Sequence, residues 1–409
     1  MLAMRPYYVA QIAKDVYWTG SKDWDRRLFD ALIPLPQGTS YNSYLVLGSE
    51  KTALIDTVNP GFSDELCEKI NCVGDVSRID YLIMNHAEPD HASAVPVIMK
   101  ISEHAVLIAT RKGAEMAQLY FKVPKDRIKV VGDGDSLDLG GKTLHFIEAP
   151  WLHWPETMFT YLTEDRILFS CDYFGAHTAA GLYDDEVQDL IPLAQRYFGE
   201  IMMPYRRMGA KGLEKIRGLD IGIIAPAHGP VYRDPRRILD EYDRWTAGET
   251  KAKAVIVYTS MWGSTKRMAD ALYQILSREG IEVRIFNLPY SDMGDIAREL
   301  VDARAIVLGS PTVIGGLHPL SAHAASLVKV LKPPARYAAF IGSYGWGGGA
   351  KREAQELLGP PMKIEIIEAV EVRGPANDEV IREVEELGHL LARKIRGDAT
   401  PIATTSAVA

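Results

Sequence analysis

At 409 residues the chain is too long for one ordinary core, so two domains are expected, and its 47% apolar and 24% charged side chains are those of a globular protein. A formal net charge of −8 with no basic stripe argues against a nucleic-acid surface, and no apolar run approaches the length of a membrane span. The opening stretch, MLAMRPYYVAQIAKDVYW, has no signal-peptide pattern. Cys67, Cys72 and Cys171 match neither a disulfide framework nor a cysteine metal site, so the cytoplasm is the expected compartment.

The first part of the chain reads as short strands with few helices. YNSYLVLG (Tyr41 to Gly48) and KTALIDT (Lys51 to Thr57) flank a tight turn and predict a hairpin. IDYLIMN (Ile79 to Asn85) is a continuous apolar run, as a buried strand requires. ASAVPVIMKI predicts a helix, and AVLIAT (Ala105 to Thr110) the next strand. KTLHFIEAP, MFTYLT and RILFSCD continue the strand series to Asp172; helical patterns then lead to IGIIAPAHGP (Ile221 to Pro230), a further strand. RRILDEYDRW predicts a helix and TAGETKAK a polar connector. From Lys253 onward strands and helices alternate, with AVIVYTS, VRIFNL, RAIVLGS, YAAFIGS and IEIIEAVEV as the strands, which predicts a doubly wound parallel sheet. The expected division is residues 1–250, residues 251–397, and a small polar tail, 398–409, expected to be disordered.

Chemistry gathers where the apolar runs stop. NHAEPDH (Asn85 to His91) places His86, Glu88, Asp90 and His91 directly after a strand, and extended alternation would turn His86, Glu88 and Asp90 to one side. So many ligand-type side chains in one loop point to two metals sharing it. His153 in PWLHWPE, Asp172 in FSCDYFG and His228 in APAHGP end later runs in the same way. Singly, each has an ordinary reading: Asp90 as a helix N-cap, Glu88 as a loop charge, a histidine as a packing residue. Together, their fixed spacing favours a metal site. Four imidazoles and three carboxylates without a thiolate make a hard donor set that suits iron or manganese. Glu88 adds negative charge and eases oxidation of a bound metal, a property for which a zinc hydrolase has no use.

The order His-x-Glu-x-Asp-His, then His, Asp and His, resembles the metallo-β-lactamase fold. Glu88 stands where the zinc hydrolases of that fold carry histidine, and with a flavodoxin-like second domain the chain resembles the flavodiiron proteins (A-type flavoproteins). Asp23-Trp24, GTSYNSYLV and LHWPETMFTY extend the likeness over nearly the whole chain. The resemblance implies an α/β and α+β two-domain protein: an N-terminal metallo-β-lactamase-like αββα sandwich and a C-terminal flavodoxin-like doubly wound parallel sheet. It implies a non-haem diiron site with an oxo or hydroxo bridge, one iron held by His86, Glu88 and His153, the other by Asp90, His91 and His228, with Asp172 bridging. Water can replace His91 in the family. The implied activity passes electrons through FMN to the irons and reduces dioxygen to water, nitric oxide to nitrous oxide, or both. Two ferrous irons and one fully reduced FMN hold the four electrons that dioxygen needs. No paired-CxxC module follows, so a separate donor is expected: rubredoxin, reduced coenzyme F420 or a reductase. A head-to-tail homodimer or dimer of dimers, which sets the FMN of one chain beside the irons of another, is also implied. A zinc-dependent hydrolase of the lactamase type is the alternative.

In the second domain Thr259, Ser260, Met261, Trp262, Gly263, Ser264 and Thr265 lead from a strand into a helix, placing hydroxyls and amides at a helix N-terminus. The spacing resembles the flavodoxin phosphate loop and lacks the GK[ST] element of a P-loop. Two further loops, carrying Pro311, Thr312, Val313, Ile314 and Gly315, and Ser343, Tyr344, Gly345, Trp346, Gly347 and Gly348, follow parallel strands at the edge where the 2-1-3-4-5 order binds FMN. Tyr344 or Trp346 is expected to stack on the ring. The chain also departs from the family pattern. F-H-G becomes Phe29-Asp30-Ala31, F-G-Q-H becomes Phe174-Gly175-Ala176-His177, and Tyr-Tyr becomes Tyr197-Phe198, leaving His177 and Tyr197 as candidate pocket residues.

Overall fold

The computed structural model describes residues 7–359 and 362–397, so the expected tail, 398–409, lies outside the described residues. The chain divides into two units, Met1–Thr246 and Ala247–Ala409.

In the first unit two sheets face each other. The larger has seven strands; the hairpin Tyr44–Leu47/Thr52–Ile55 is antiparallel, and Tyr81–Ile83, Val106–Ala109 and Ile128–Val130 then add in parallel. The smaller runs Ser136–Asp138, Thr143–Glu148, Met158–Leu162, Ile167–Cys171 and Ile223–Pro226, antiparallel except for its last pair. Val16, Tyr44, Ile55, Ile83 and Ile108 of one sheet meet Phe146, Met158, Phe169 and Ala225 of the other. Helices Ser63–Val73, Val95–Ile101 and Arg111–Phe121 cover the larger sheet through Leu66, Ile70, Ile98 and Ala117. The unbroken apolar run at Ile79 follows from this layering: Leu82 joins the helix-side core and Ile83 the inter-sheet core, so neither face of that strand meets water. Helix Arg206–Ile216 lies against the smaller sheet, where a Cβ on Gly212 would sit 3.7 Å from Phe159 Cε2. Tyr242 of helix Arg236–Ala247 packs edge-on to Tyr173 at 4.8 Å. The result is an αββα sandwich.

The second unit has its five parallel strands in spatial order Glu282–Asn287, Lys253–Tyr258, Ala305–Val313, Tyr337–Tyr344 and Glu365–Arg373, which is 2-1-3-4-5. Helices Ser264–Arg278 and Asp378–Gly397 bury Met268, Leu272, Leu387 and Leu391 against one face. Helices Met293–Leu300 and Pro319–Leu331 contact the same central strands, whose alternate residues Val255, Val257, Ile306 and Leu308 point away from that first core. The carboxyl ends of strands one, three and four therefore converge at one edge, where this topology opens a crevice. No helix among the described residues is long and apolar enough to cross a membrane.

Candidate metal centre and flavin cleft

The loop after strand Tyr81–Ile83 is pinned at its start. Asn85 donates from its peptide nitrogen and side-chain amide to the Asp56 carboxylate at 2.8 and 3.0 Å, and Thr160 Oγ1 donates to Asn85 Oδ1 at 2.7 Å. The backbone stays extended through Glu88 (ψ 140°) and then Pro89–Ala92 forms a helical turn, with Pro89 in the first turn, where its missing N–H is harmless. This corrects the simple alternation: the extended part presents His86 and Glu88, whereas the turn redirects Asp90 and His91. Asp90 is not an N-cap, since Glu88 holds that position without a side-chain cap bond, and Glu88 is buried rather than a loop charge.

Two donor clusters result. His86, Glu88, His153 and Asp172 bring one ligand atom each within 4.8 Å of one another, and Asp90, His91 and His228 do the same. Glu88 Oε2 lies 3.1 Å from His86 Nε2 and 3.0 Å from His153 Nε2. Asp90 Oδ2 lies 3.2 Å from His228 Nε2 and 3.4 Å from His91 Nε2. Asp172 serves both. Its Oδ2 faces His86 and His153 at 3.4 and 3.6 Å, and its Oδ1 faces His91 and His228 at 3.0 and 3.6 Å.

These side chains fit metal cations better than they fit one another. Both Asp90 oxygens, both His91 nitrogens and Asp172 Oδ2 are buried without a hydrogen bond, a condition that a protein seldom tolerates unless another ligand completes it. Burial pushes the His86 and His91 pKa values down, yet the carboxylates win: Glu156 and Glu88 hold His86 well above the usual range, and Asp90 and Asp172 bring His91 to about 9. Burial likewise favours neutral Glu88 and Asp172, but the neighbouring histidines hold both below the usual carboxylate range. The pocket attracts positive charge.

Surrounding groups orient the ligands. His86 Nδ1 donates to Glu156 Oε1 at 2.7 Å and His228 Nδ1 to the Ser40 carbonyl at 2.6 Å, which leaves each Nε2 for the cluster. The Tyr197 hydroxyl donates to Asp172 Oδ1 at 3.1 Å. His177 is buried with Nδ1 3.0 Å from Thr39 Oγ1, and its ring is 4.8 Å from those of His228 and Tyr197. Burial and the nearby His228 depress its pKa far enough to keep it neutral. Phe198 turns away, packing 5.3 Å from both Tyr242 and Trp245. Asp30 sits at the tip of the hairpin Leu28–Phe29/Ile33–Pro34 with φ 49°; partial burial and the charges of Glu88 and Asp90 raise its pKa. Ala176 is fully buried against Gly229, whose own Cβ would lie 2.6 Å from the Ala176 carbonyl oxygen. Glu156, Asp56 and Thr39 escaped the sequence reading; only Glu156 carried a signal, as the acid three residues after His153.

In the second unit the three expected loops line a cavity of about 660 Å³, joined by Gly374 and Pro375, which the reading missed although a Gly-Pro pair at a strand end is a turn signal. Thr259, Gly263, Val313 and Gly348 lie outside this lining. Thr259 instead accepts a hydrogen bond from Ser321 at 3.1 Å, and Gly263, at φ 90°, starts helix Ser264–Arg278. No lining side chain is charged, so an anion there would be held by amides, hydroxyls and the helix terminus. Tyr344 borders the cavity partly buried; Trp262, Ile314 and Trp346 are 92%, 102% and 95% exposed and form its apolar rim.

Residues 39–229 match the model of the ODP family beta lactamases and residues 256–386 that of flavodoxin. A nitric oxide reductase from Moorella thermoacetica is 38% identical over 94% of this chain and 98% of its own length. The flavodiiron protein from Giardia intestinalis superposes with a TM-score of 0.91 at 30% identity, covering 96% of this chain and 98% of that one. The chain belongs to the flavodiiron proteins. A further flavodiiron structure, the rubredoxin oxygen:oxidoreductase of Desulfovibrio gigas, aligns with a TM-score of 0.92 at 29% identity over 95% of this chain and 99% of that one. Both donor clusters, the shared carboxylate and the cleft at the sheet edge lie within this one polypeptide.

Proposed function

We propose that the protein is a reductase that takes electrons from a separate donor into FMN in the second unit and delivers them to a diiron site in the first, reducing dioxygen to water, nitric oxide to nitrous oxide, or both. The observation that carries this reading is Asp172, whose two oxygens face two separate buried donor clusters, one of them containing Glu88. His86, Glu88 and His153 would hold one iron and Asp90, His91 and His228 the other; bound iron and FMN together would supply up to four electrons. The relatives named nitric oxide reductase and rubredoxin oxygen:oxidoreductase support both substrates. A zinc hydrolase is disfavoured by Glu88 and by family membership.

The protein's own groups would shape the reaction. The Tyr197 hydroxyl would hold Asp172 Oδ1 in place, and burial together with the Asp172 charge keeps its proton on the oxygen. Neutral His177, with Nε2 buried and free of hydrogen bonds, offers an acceptor or donor at the same wall. Phe29, packed 5.0 Å from His177 and 6.0 Å from His228, keeps bulk water from that side. In the second unit the Ser264 helix terminus would seat the FMN phosphate, and the loops at Thr312 and Tyr344 its ring. The exposed Trp262, Ile314 and Trp346 support a head-to-tail pair of chains, since such an apolar rim favours burial. Free cysteines fit a cytoplasmic setting.

The test is the metal and flavin content of protein purified without air, followed by anaerobic turnover. About two irons and one FMN per chain, with oxidation of the reduced protein by either gas, are expected. Two zincs in protein from iron-supplemented cells, with no gas-driven flavin reoxidation, would end the proposal. A monomer with full turnover would end the head-to-tail part alone.

A further inference from the structure

The three imidazoles whose outer nitrogens can be traced are backed very differently. His86 Nδ1 donates at 2.7 Å to Glu156, a carboxylate whose side chain is about as buried as the imidazole itself. His228 Nδ1 donates to a neutral carbonyl at 2.6 Å, and His91 Nδ1 makes no hydrogen bond. Glu156 is fixed in turn. Its Oε1 also accepts the Ala87 peptide N–H at 3.0 Å, and its own carbonyl accepts from Thr110 Oγ1 at 2.8 Å. The same carboxylate oxygen thus grips the imidazole of His86 and the backbone that leads to Glu88. A carboxylate behind a ligating imidazole fixes its tautomer and raises its basicity, whereas a carbonyl does so less.

We propose that Glu156 is a positioning residue that makes the two metal positions unequal: the His86–Glu88–His153 position becomes the tighter and more electron-rich, and the Asp90–His91–His228 position the weaker. The inference rests on the reading of the two clusters as a dinuclear metal centre. No step of the reaction passes through Glu156, whose second oxygen is buried without a partner and does not reach the donor clusters.

The experiment is an anaerobic titration of the metal-free full chain with Co²⁺, read by its visible absorption and by proton NMR, for the wild type, Glu156→Gln and Glu156→Ala. Wild type should take two Co²⁺ in resolved steps, with hyperfine-shifted exchangeable protons from its liganding imidazoles, among which the His86 Nδ1–H, held by Glu156, exchanges slowly. Glu156→Ala should weaken one step by about 10–100-fold, as removal of such partners does, and leave the other within about threefold. Glu156→Gln keeps an acceptor of the same shape without the charge. It should retain the exchangeable proton at a shifted position and weaken the same step by less. Unchanged Co²⁺ affinities in both variants, or equal losses at both steps, would overturn the proposal. A wild type that binds fewer than two Co²⁺ would instead overturn the dinuclear reading beneath it. If Glu156→Ala does not fold, as judged by near-ultraviolet circular dichroism, Glu156→Gln decides alone through the shifted proton and the affected step.

Discussion

Removing the metals should destabilise the first unit and leave the second alone. Four buried atoms that face the clusters make no hydrogen bond within the protein: two on Asp90, Nε2 of His91 and one on Asp172. A buried polar atom left unsatisfied costs about 1–3 kcal/mol, which puts the sum at roughly 4–12 kcal/mol. The lower end applies, because histidine and carboxylate atoms at 3.0 to 3.6 Å relieve one another in the absence of metal. For a unit of the size of Met1–Thr246, one kcal/mol moves the melting temperature by about 2–4 °C, so about 4 kcal/mol moves it by roughly 8–16 °C.

The assay is differential scanning calorimetry of anaerobic protein, with and without Fe²⁺ after chelation, on samples matched in FMN. The first unit should melt at least about 8 °C lower without metal, while the transition of the second unit stays in place. Asp172→Asn, which keeps the side-chain shape but loses the charge shared by both clusters, should reduce the stabilisation by both Fe²⁺ ions together. A chelated first unit that melts within about 3 °C of the loaded one would refute the reasoning, because the unsatisfied atoms would then have found partners without metal.

Tyr197→Phe removes a hydrogen bond to a charged acceptor, which is worth about 1.5–3 kcal/mol, and should slow gas reduction about tenfold or more with both irons retained; wild-type turnover in stopped-flow traces would dismiss a role for the hydroxyl. Gly349→Ala would place a Cβ 1.9 Å from the Gly315 carbonyl oxygen, at φ 151°, so two flavin loops must part. FMN affinity by fluorescence titration should fall about tenfold or more, roughly 1.4 kcal/mol, with the iron content unchanged. In the second unit Lys253 bonds Glu299 at 2.9 Å and also Asp302; burial raises both carboxyl pKa values, but Lys253 brings each below its ordinary value. Depressed carboxylates stabilise above their unfolded pKa values, so this contribution is complete above the ordinary 4.5 and 3.8 and is lost as pH falls through the lower folded values. Lys253→Met removes the buried cation that the two carboxylates share, leaving Glu299 with Arg298 and Arg284 and Asp302 with Lys251, and should cost about 1.5–3 kcal/mol near neutral pH in urea melts, a loss that shrinks on acidification. An unchanged urea midpoint would show that the pair is dispensable.

Most of the fold was legible because the strands that build it are buried on both faces. The runs at Ile79, Ala105 and Ala254 are continuous in the sequence for the same reason that they are central in their sheets. The short pairs Ser21–Asp23 with Thr39–Tyr41, and Leu28–Phe29 with Ile33–Pro34, were not legible: ribbons of two or three residues carry too few side chains to show a period. In the site, ligand types announced themselves by spacing, but the groups that orient them did not. Asp56 and Thr39 act on Asn85 and His177 from 29 and 138 residues away in sequence, through bonds that only the folded chain creates. Trp346 illustrates the reverse. Its place in a glycine loop at a strand end marks it for the cleft, and its side chain, 95% exposed on the cleft's rim, makes no packing contact from which the sequence could have placed its ring.

Why one loop serves two clusters follows from a single change of backbone conformation. Two residues apart on an extended chain, His86 and Glu88 share a side; had the strand continued, Asp90 would have joined them and left the second cluster short of its carboxylate. Pro89 ends that possibility. With its φ fixed near the helical value it begins a turn, and residues 90 and 91 rotate to present their side chains to a different point. Asp172, on its own strand end, then needs only its two oxygens to meet both. A chain with histidine at 88 would preserve this geometry, so the glutamate is not there to build the loop. It changes the charge of one cluster, as Glu156 does from behind His86. Both acids act on the same position, which is where the protein's electrostatic asymmetry is concentrated.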